Sequence, residues 1–126
     1  MIPVEWMKQA EYDLKTAEAM FAAKRYIYVV FMCHLAIEKA IKGIYARATQ
    51  TLPPKTHNLL ALIEKSSLDV PEDLYDFIYR LNGVSVPTRY PEDIGKLKKD
   101  YNKKNTQAIL EMSEVTLKWL KKKSKQ

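Results

Sequence analysis

Three residues suited to acid–base or binding chemistry lie four apart in the most apolar part of this 126-residue sequence. His34, Glu38 and Lys42 belong to the segment FMCHLAIEKAIKGIY, residues 31–45. Each four-residue step on an α-helix turns only about 40° past a full rotation, so the three side chains form one narrow polar stripe. Such a stripe on an otherwise apolar helix indicates either a functional site or a buried polar network.

Several interpretations of this stripe stay open from the sequence. His34 and Glu38 have the spacing of two metal ligands, but His57, the nearest further candidate, is not placed by any metal motif, so we expect no metal. The same pair can act as an acid–base pair in which the carboxylate orients the imidazole. We favour a polar network between helices, with Asp13, Lys42 and His57 as partners.

A second candidate site is the loop segment Thr88-Arg89-Tyr90-Pro91. The Arg89 guanidinium suits phosphate or carboxylate, and Tyr90 offers a ring for stacking. Alternatively, both residues anchor the loop, with Tyr90 packed on the bundle and Arg89 either capping a helix end or paired with Glu92 or Asp93. The sequence has no Gly-rich phosphate loop and no Cys-x-x-Cys, so an ordinary hydrolase or dinucleotide enzyme finds no support.

The elements that must position these residues are all predicted to be helical, because glycines are few and prolines fall between the apolar patterns. The predicted helices span residues 3–23, 26–47, 57–66, 71–83 and 98–123. The second helix is apolar on nearly every face, which is typical of the centre of a bundle or of a dimer interface. We therefore predict an all-α, antiparallel up-and-down bundle of four to five helices.

Local signals refine these boundaries. Thr56 is the predicted N-cap of the third helix, and Pro71 is expected to open the fourth. Residues 84–95 read as a long loop before the last helix. The apolar positions predicted for that helix are Ile109, Met112, Val115, Leu117, Trp119 and Leu120.

Composition indicates one soluble, cytoplasmic domain spanning residues 1–126, with a basic tail at about 121–126. The single Cys33 lies in the apolar run and is expected to be a buried thiol. No apolar run is long enough for a bilayer, and the first residues do not resemble a signal peptide. The net charge is +6, and residues 96–126 hold ten lysines against three acidic residues. Such a basic segment forms either a nucleic-acid surface or a solvated helix face.

The order of several short motifs resembles the HEPN family, the domain shared by higher-eukaryotic and prokaryotic nucleotide-binding proteins. The resemblance covers most of the chain. Its motifs are Trp6, Asp13-Leu14, Tyr26, the block His34-Leu35-Ala36-Ile37-Glu38-Lys39-Ala40-Ile41-Lys42, Thr56-His57-Asn58-Leu59 and Arg89-Tyr90-Pro91.

The resemblance implies a helical bundle that forms homodimers and is often encoded beside a minimal nucleotidyltransferase, as in toxin–antitoxin pairs. Many family members are metal-independent endoribonucleases with an Arg-x(4–6)-His motif. Arg89 matches the arginine of that motif, but positions 94–96 are Ile94, Gly95 and Lys96. Because an arginine cannot shuttle the proton of the RNA 2′-hydroxyl at neutral pH, the missing histidine argues against nuclease activity.

The leading hypothesis is a dimeric module that needs no cofactor, binds a nucleotide, RNA or a nucleotidyltransferase partner, and belongs to a toxin–antitoxin-like pair. The residues expected to contact the ligand are Arg89, Tyr90, His34, Glu38 and Lys42. The alternative is an endoribonuclease toxin in which Arg89 acts with His34 or His57.

Overall fold

Six α-helices form the protein in the computed structural model, which describes residues 3–84 and 92–126. No β-strand occurs in these two ranges. The helices are α1 (Pro3–Ala22), α2 (Tyr26–Thr49), α3 (Leu59–Lys65), α4 (Glu72–Gly83), α5 (Ile94–Asp100) and α6 (Lys103–Ser124). The predicted all-α bundle is confirmed, although one of the predicted helices is divided.

Helix α2 lies at the centre and contacts each of the other five helices. Its apolar side chains leave no face for solvent over most of its length, which explains this position. The largest fully buried aliphatic side chains come from α2, α3, α4 and α6, and they are Ile37, Ile41, Val29, Val30, Leu59, Leu62, Ile78 and Leu120. Burial of each is worth about 1.5–3 kcal/mol.

A three-residue turn makes α1 and α2 an antiparallel pair. Lys24 adopts a left-handed conformation with φ of 63°. The N–H of Arg25 donates to the carbonyl of Met20 at 2.8 Å, and the N–H of Lys24 donates to the carbonyl of Phe21 at 3.0 Å. These two bonds close the end of α1 in the manner of a Schellman motif, so that the chain reverses directly into α2.

The third helix begins two residues later than predicted. Asn58, not Thr56, is its N-cap, and the Asn58 side chain accepts hydrogen bonds from the N–H groups of Leu60 and Ala61. Thr56 instead accepts from the N–H of Asn58 at 3.1 Å. Because both residue types cap helices well, only the backbone path into α3 decides between them.

The predicted last helix is divided into α5 and α6. Asn102 caps α6 by accepting a hydrogen bond from the N–H of Asn105 at 2.9 Å. The side chain of Asn105 donates back to the carbonyl of Asp100 at 2.9 Å. Asp93 caps α5 in the same way, so the predicted start at Lys98 is wrong. At the other end, α6 continues through the predicted basic tail to Ser124.

The buried face of α6 is more polar than its sequence suggests. Val115, a predicted core residue, is 53% exposed, whereas Thr106, Ser113 and Thr116 are fully buried. The Thr116 hydroxyl donates to the carbonyl of Met112 at 2.7 Å, so its burial leaves no unpaired donor. Small side chains on this face allow α6 to approach α1 and α2 closely.

Two further findings concern membrane-spanning helices and the cysteine. No helix within the described ranges combines the length and the apolar character needed to cross a membrane. Cys33 is buried as predicted. Burial raises the pKa of its thiol to about 12, so it stays protonated and unreactive in the folded protein.

A glycine sets the distance between α1 and α2. A β-carbon at Gly43 would lie 2.8 Å from the Cβ of Trp6 and 3.3 Å from the carbonyl oxygen of Pro3. The first distance is too short for two carbon atoms, so any side chain here separates the helices.

Gly43→Ala is therefore expected to lower the free energy of unfolding by about 1–3 kcal/mol, measured by chemical denaturation. Gly83→Ala is the matched control, because a β-carbon there meets nothing within 4 Å. Because Gly83 is the exposed last residue of α4, alanine there should change stability by no more than about 0.5 kcal/mol. A Gly43→Ala protein as stable as the unmodified one would contradict the close-approach argument.

Candidate functional site

The predicted polar stripe lies inside the bundle and is centred on the carboxylate of Glu38. We call His34, Glu38, Lys42 and His57 the polar seam. Glu38 Oε2 lies 3.1 Å from Lys42 Nζ, and Glu38 Oε1 lies 2.9 Å from Nδ1 of His57. Both carboxylate oxygens are thus engaged, one by the next turn of α2 and one by the loop before α3. The polar network favoured from the sequence is therefore observed.

His34 forms the inner end of the seam. Its side chain is fully buried, and its Nδ1 lies 3.8 Å from Glu38 Oε1. This distance is too long for a hydrogen bond, so the interaction between the two groups is electrostatic. An imidazole in this position is out of reach of a dissolved substrate.

His57 forms the outer end of the seam. Its side chain is 61% exposed, whereas the Glu38 side chain is only 4% exposed. A carboxylate accepts hydrogen bonds, so Nδ1 of His57 carries the proton in this pair and Nε2 carries the lone pair. The buried carboxylate therefore orients an exposed imidazole whose second nitrogen can accept or, when charged, donate a proton.

Lys42 links the seam to α1. Its Nζ lies 5.9 Å from the centre of the Trp6 ring, which is within the range of a cation–π contact. Trp6 packs against α2 at Gly43, the neighbour of Lys42. The charge of Lys42 is thus stabilised from two sides, by a carboxylate and by an aromatic face.

A second ion pair, buried on its carboxylate side, joins the same two helices. Asp13 Oδ2 lies 2.8 Å from Lys39 Nζ, and Asp13 is 6% exposed. We predicted Asp13 as a partner of the seam, but it pairs with the neighbouring Lys39 instead. The signal in the sequence is that Asp13 interrupts an apolar stripe between Ala10 and Ala17, where a charge needs a partner.

The structure brings together four of the predicted residues, His34, Glu38, Lys42 and His57. Arg89 and Tyr90 lie outside the described residues, so their role stays a prediction. Within residues 3–84 and 92–126, no three His, Cys, Asp or Glu side chains are arranged to hold a metal ion.

The HEPN domain model matches residues 4–123, which is almost the whole chain. The chain belongs to the HEPN family. The resemblance recognised from short motifs is thus confirmed over the full bundle. Among the HEPN motif residues, His34, Glu38, Lys39, Lys42 and His57 are those that form or adjoin the seam.

Two solved structures share the fold. The crystal structure of TT1696 from Thermus thermophilus superposes with a TM-score of 0.83 at 26% identity, covering 96% of this chain and 97% of that one. The crystal structure of ST0689, an archaeal HEPN homologue, gives a TM-score of 0.80 at 23% identity, covering 98% of both chains. A comparison with curated proteins finds no match.

Substitutions of the seam residues are expected to lower the free energy of unfolding by different amounts. Glu38→Ala leaves the buried Lys42 without its carboxylate and is expected to lower the free energy of unfolding by about 3 kcal/mol. His57→Ala removes one hydrogen bond at the exposed end and should cost about 1 kcal/mol. Urea denaturation of both variants measures the difference. Equal stability of Glu38→Ala and the unmodified protein would show that the seam is not structural.

Proposed function

We propose that this HEPN protein is a homodimeric module that binds RNA or free nucleotides and has a minimal nucleotidyltransferase as its protein partner. The observation that carries the proposal is the engagement of both Glu38 oxygens, which makes the seam a scaffold and leaves one oriented imidazole, His57, at its exposed end. A scaffold that presents a single polar group suits binding better than multistep chemistry.

The nuclease motif supports the same choice. Positions 94–96 form the first turn of α5, where Ile94 is 55% exposed and no residue can act as an imidazole base. Arg89 retains a guanidinium suited to a phosphodiester, and Tyr90 retains a ring for a base. Binding chemistry is thus preserved where the proton-transfer residue of the motif is missing.

Charge supports a polyanionic ligand. Most lysines of residues 96–126 are exposed, and this segment carries ten lysines against three acidic residues. Exposed lysines attract phosphates without regard to base sequence. Arg89, Tyr90 and the exposed end of the seam are proposed to add the local contacts.

Binding is tested by fluorescence anisotropy with a labelled single-stranded RNA. Arg89→Ala and Tyr90→Ala are each expected to weaken binding at least tenfold, whereas Arg80→Ala, which removes an exposed arginine from α4, should leave it unchanged. Raising salt from 50 to 200 mM should weaken binding about twentyfold if three phosphates are contacted. Equal affinities in all three variants would contradict the proposal.

Sedimentation of the same samples tests the assembly. A dimer has twice the 14.7 kDa mass of one chain. The proposed nucleotidyltransferase partner, added in equal amount, should move with the dimer as one boundary. A monomer that sediments independently of the partner would remove both assembly claims and leave the RNA measurement to stand alone.

A second candidate function is metal-independent RNA cleavage by Arg89 and His57. It is favoured by the 2.9 Å contact through which the buried Glu38 orients the exposed His57, an arrangement suited to a general base. Of the two histidines considered, the buried His34 is disfavoured by its lack of access. In this scheme His57 takes the proton of the 2′-hydroxyl as that oxygen attacks the phosphorus, and Arg89 stabilises the charged phosphate. The 5′-oxygen leaves with a proton returned by His57 or by water, which gives a 2′,3′-cyclic phosphate and a 5′-hydroxyl.

Cleavage is tested by incubating RNA with the protein in EDTA and resolving the products on a gel. His57→Ala and Arg89→Ala are expected to abolish cleavage if the scheme holds. His57→Ala is informative because its exposed position keeps the fold intact. Absence of cleavage by the unmodified protein, or cleavage that survives both substitutions, would eliminate the nuclease.

A further inference from the structure

A cavity of about 430 Å³ opens at the N-terminal end of α2, whereas Lys42 lies near the other end of this helix. It lies between the α1–α2 turn, the first turn of α2, and α5, and its lining residues are Lys24, Arg25, Tyr26, Ile27, Tyr28, Ile94, Lys98 and Tyr101. Ten residues of helix separate Tyr28 from Glu38, which corresponds to about 15 Å. The cavity is thus separate from the polar seam, and its size is within the range of small-molecule sites.

Among the described residues, the charged side chains that line the cavity are all cations. Lys24, Arg25 and Lys98 contribute three positive charges, and no acidic side chain from the described part of the chain belongs to the lining. Within residues 3–84 and 92–126, none of these three cations takes part in an ion pair. Several cations on one concave surface raise the local concentration of anions.

The remaining lining is largely aromatic. Tyr26 is held by the ring of Phe21, with 5.5 Å between the ring centres. Tyr28 is 55% exposed, so much of its side chain is accessible to a ligand. Tyr101 is half-buried, and burial, together with the nearby Asp100, raises the pKa of its phenol, so the ring stays neutral. Three phenol rings suit a flat aromatic group better than a simple inorganic anion.

We propose that this cavity binds one nucleotide unit, with the base against the tyrosine rings and the phosphate among Lys24, Arg25 and Lys98. A phosphate alone would not interact with the rings, and a neutral aromatic compound would not interact with the cations. The unit is either a free mononucleotide or one residue of an RNA strand. This site does not depend on the RNA contacts proposed for Arg89 and Tyr90.

The test is isothermal titration calorimetry on the full chain with 5′-AMP, adenosine, inorganic phosphate and a six-nucleotide RNA. Tyr28→Ala and Lys98→Ala remove one ring and one charge from the cavity. Matched controls are Tyr12→Ala, which removes a 73% exposed tyrosine from α1, and Lys99→Ala, which changes the residue next to Lys98. All four side chains are exposed, so the fold should survive each change.

AMP is expected to bind the unmodified protein and both controls, and to bind Tyr28→Ala and Lys98→Ala at least tenfold more weakly. Adenosine and phosphate should each bind more weakly than AMP. If only the RNA binds and the same two variants weaken it, the cavity holds a residue of a strand, which supports the proposal.

Three results would overturn the proposal: no binding of AMP or RNA, equal affinities across the four variants, or phosphate binding as tight as AMP binding.

Arg89→Ala separates the cavity from the RNA contacts proposed for Arg89 and Tyr90. If Arg89→Ala weakens RNA binding but leaves AMP binding unchanged, the cavity acts independently of the Arg89 contacts. If Arg89→Ala leaves RNA binding unchanged while Tyr28→Ala and Lys98→Ala weaken AMP binding, the proposed RNA contact of Arg89 fails and the proposed nucleotide site in the cavity stands.

Discussion

The buried carboxylate of Glu38 is the constraint around which the centre of the protein is arranged. A charge removed from water is strongly unfavourable unless cations or donors surround it. Lys42 supplies one partner from the same helix, and His57 supplies the other from the loop before α3. Because the second partner lies 19 positions further along the chain, this one carboxylate fixes where that loop crosses α2.

Two further contacts between α1 and α2 fix how these helices pack. Asp13 and Lys39 form an ion pair at the contact, and Gly43 allows Trp6 to lie directly on α2. Apolar packing alone permits helices to slide, whereas a buried ion pair is satisfied in one register. The close approach at Gly43 also brings the Trp6 ring within reach of Lys42. Packing and charge therefore select the same arrangement.

The bundle was predictable because the spacing of apolar residues and the amino-acid composition directly favour helices. The polar network was predictable because Glu38 and its polar neighbours lie in an otherwise apolar helix. Finer features were not. Thr56 and Asn58 both make good N-caps, so the choice depends on the backbone path rather than on residue type. The break at Asn102 needed recognition of a capping asparagine inside a continuous pattern. The exposure of Val115 depends on which face of α6 meets α2, and tertiary packing alone determines that.

Helix α2 also keeps the structural core of the bundle apart from the surfaces that we propose as binding sites. Its inner residues hold the bundle together through Glu38, so substitutions there change stability before they change chemistry. Solvent is reached on either side of this inner part, at His57 on one side and at the cavity beside Tyr28 on the other. Functional groups placed around a rigid central helix keep their positions while their identities vary. A change of residue at the start of α5 can thus alter the chemistry there without disturbing the surfaces that we propose to bind phosphate and base.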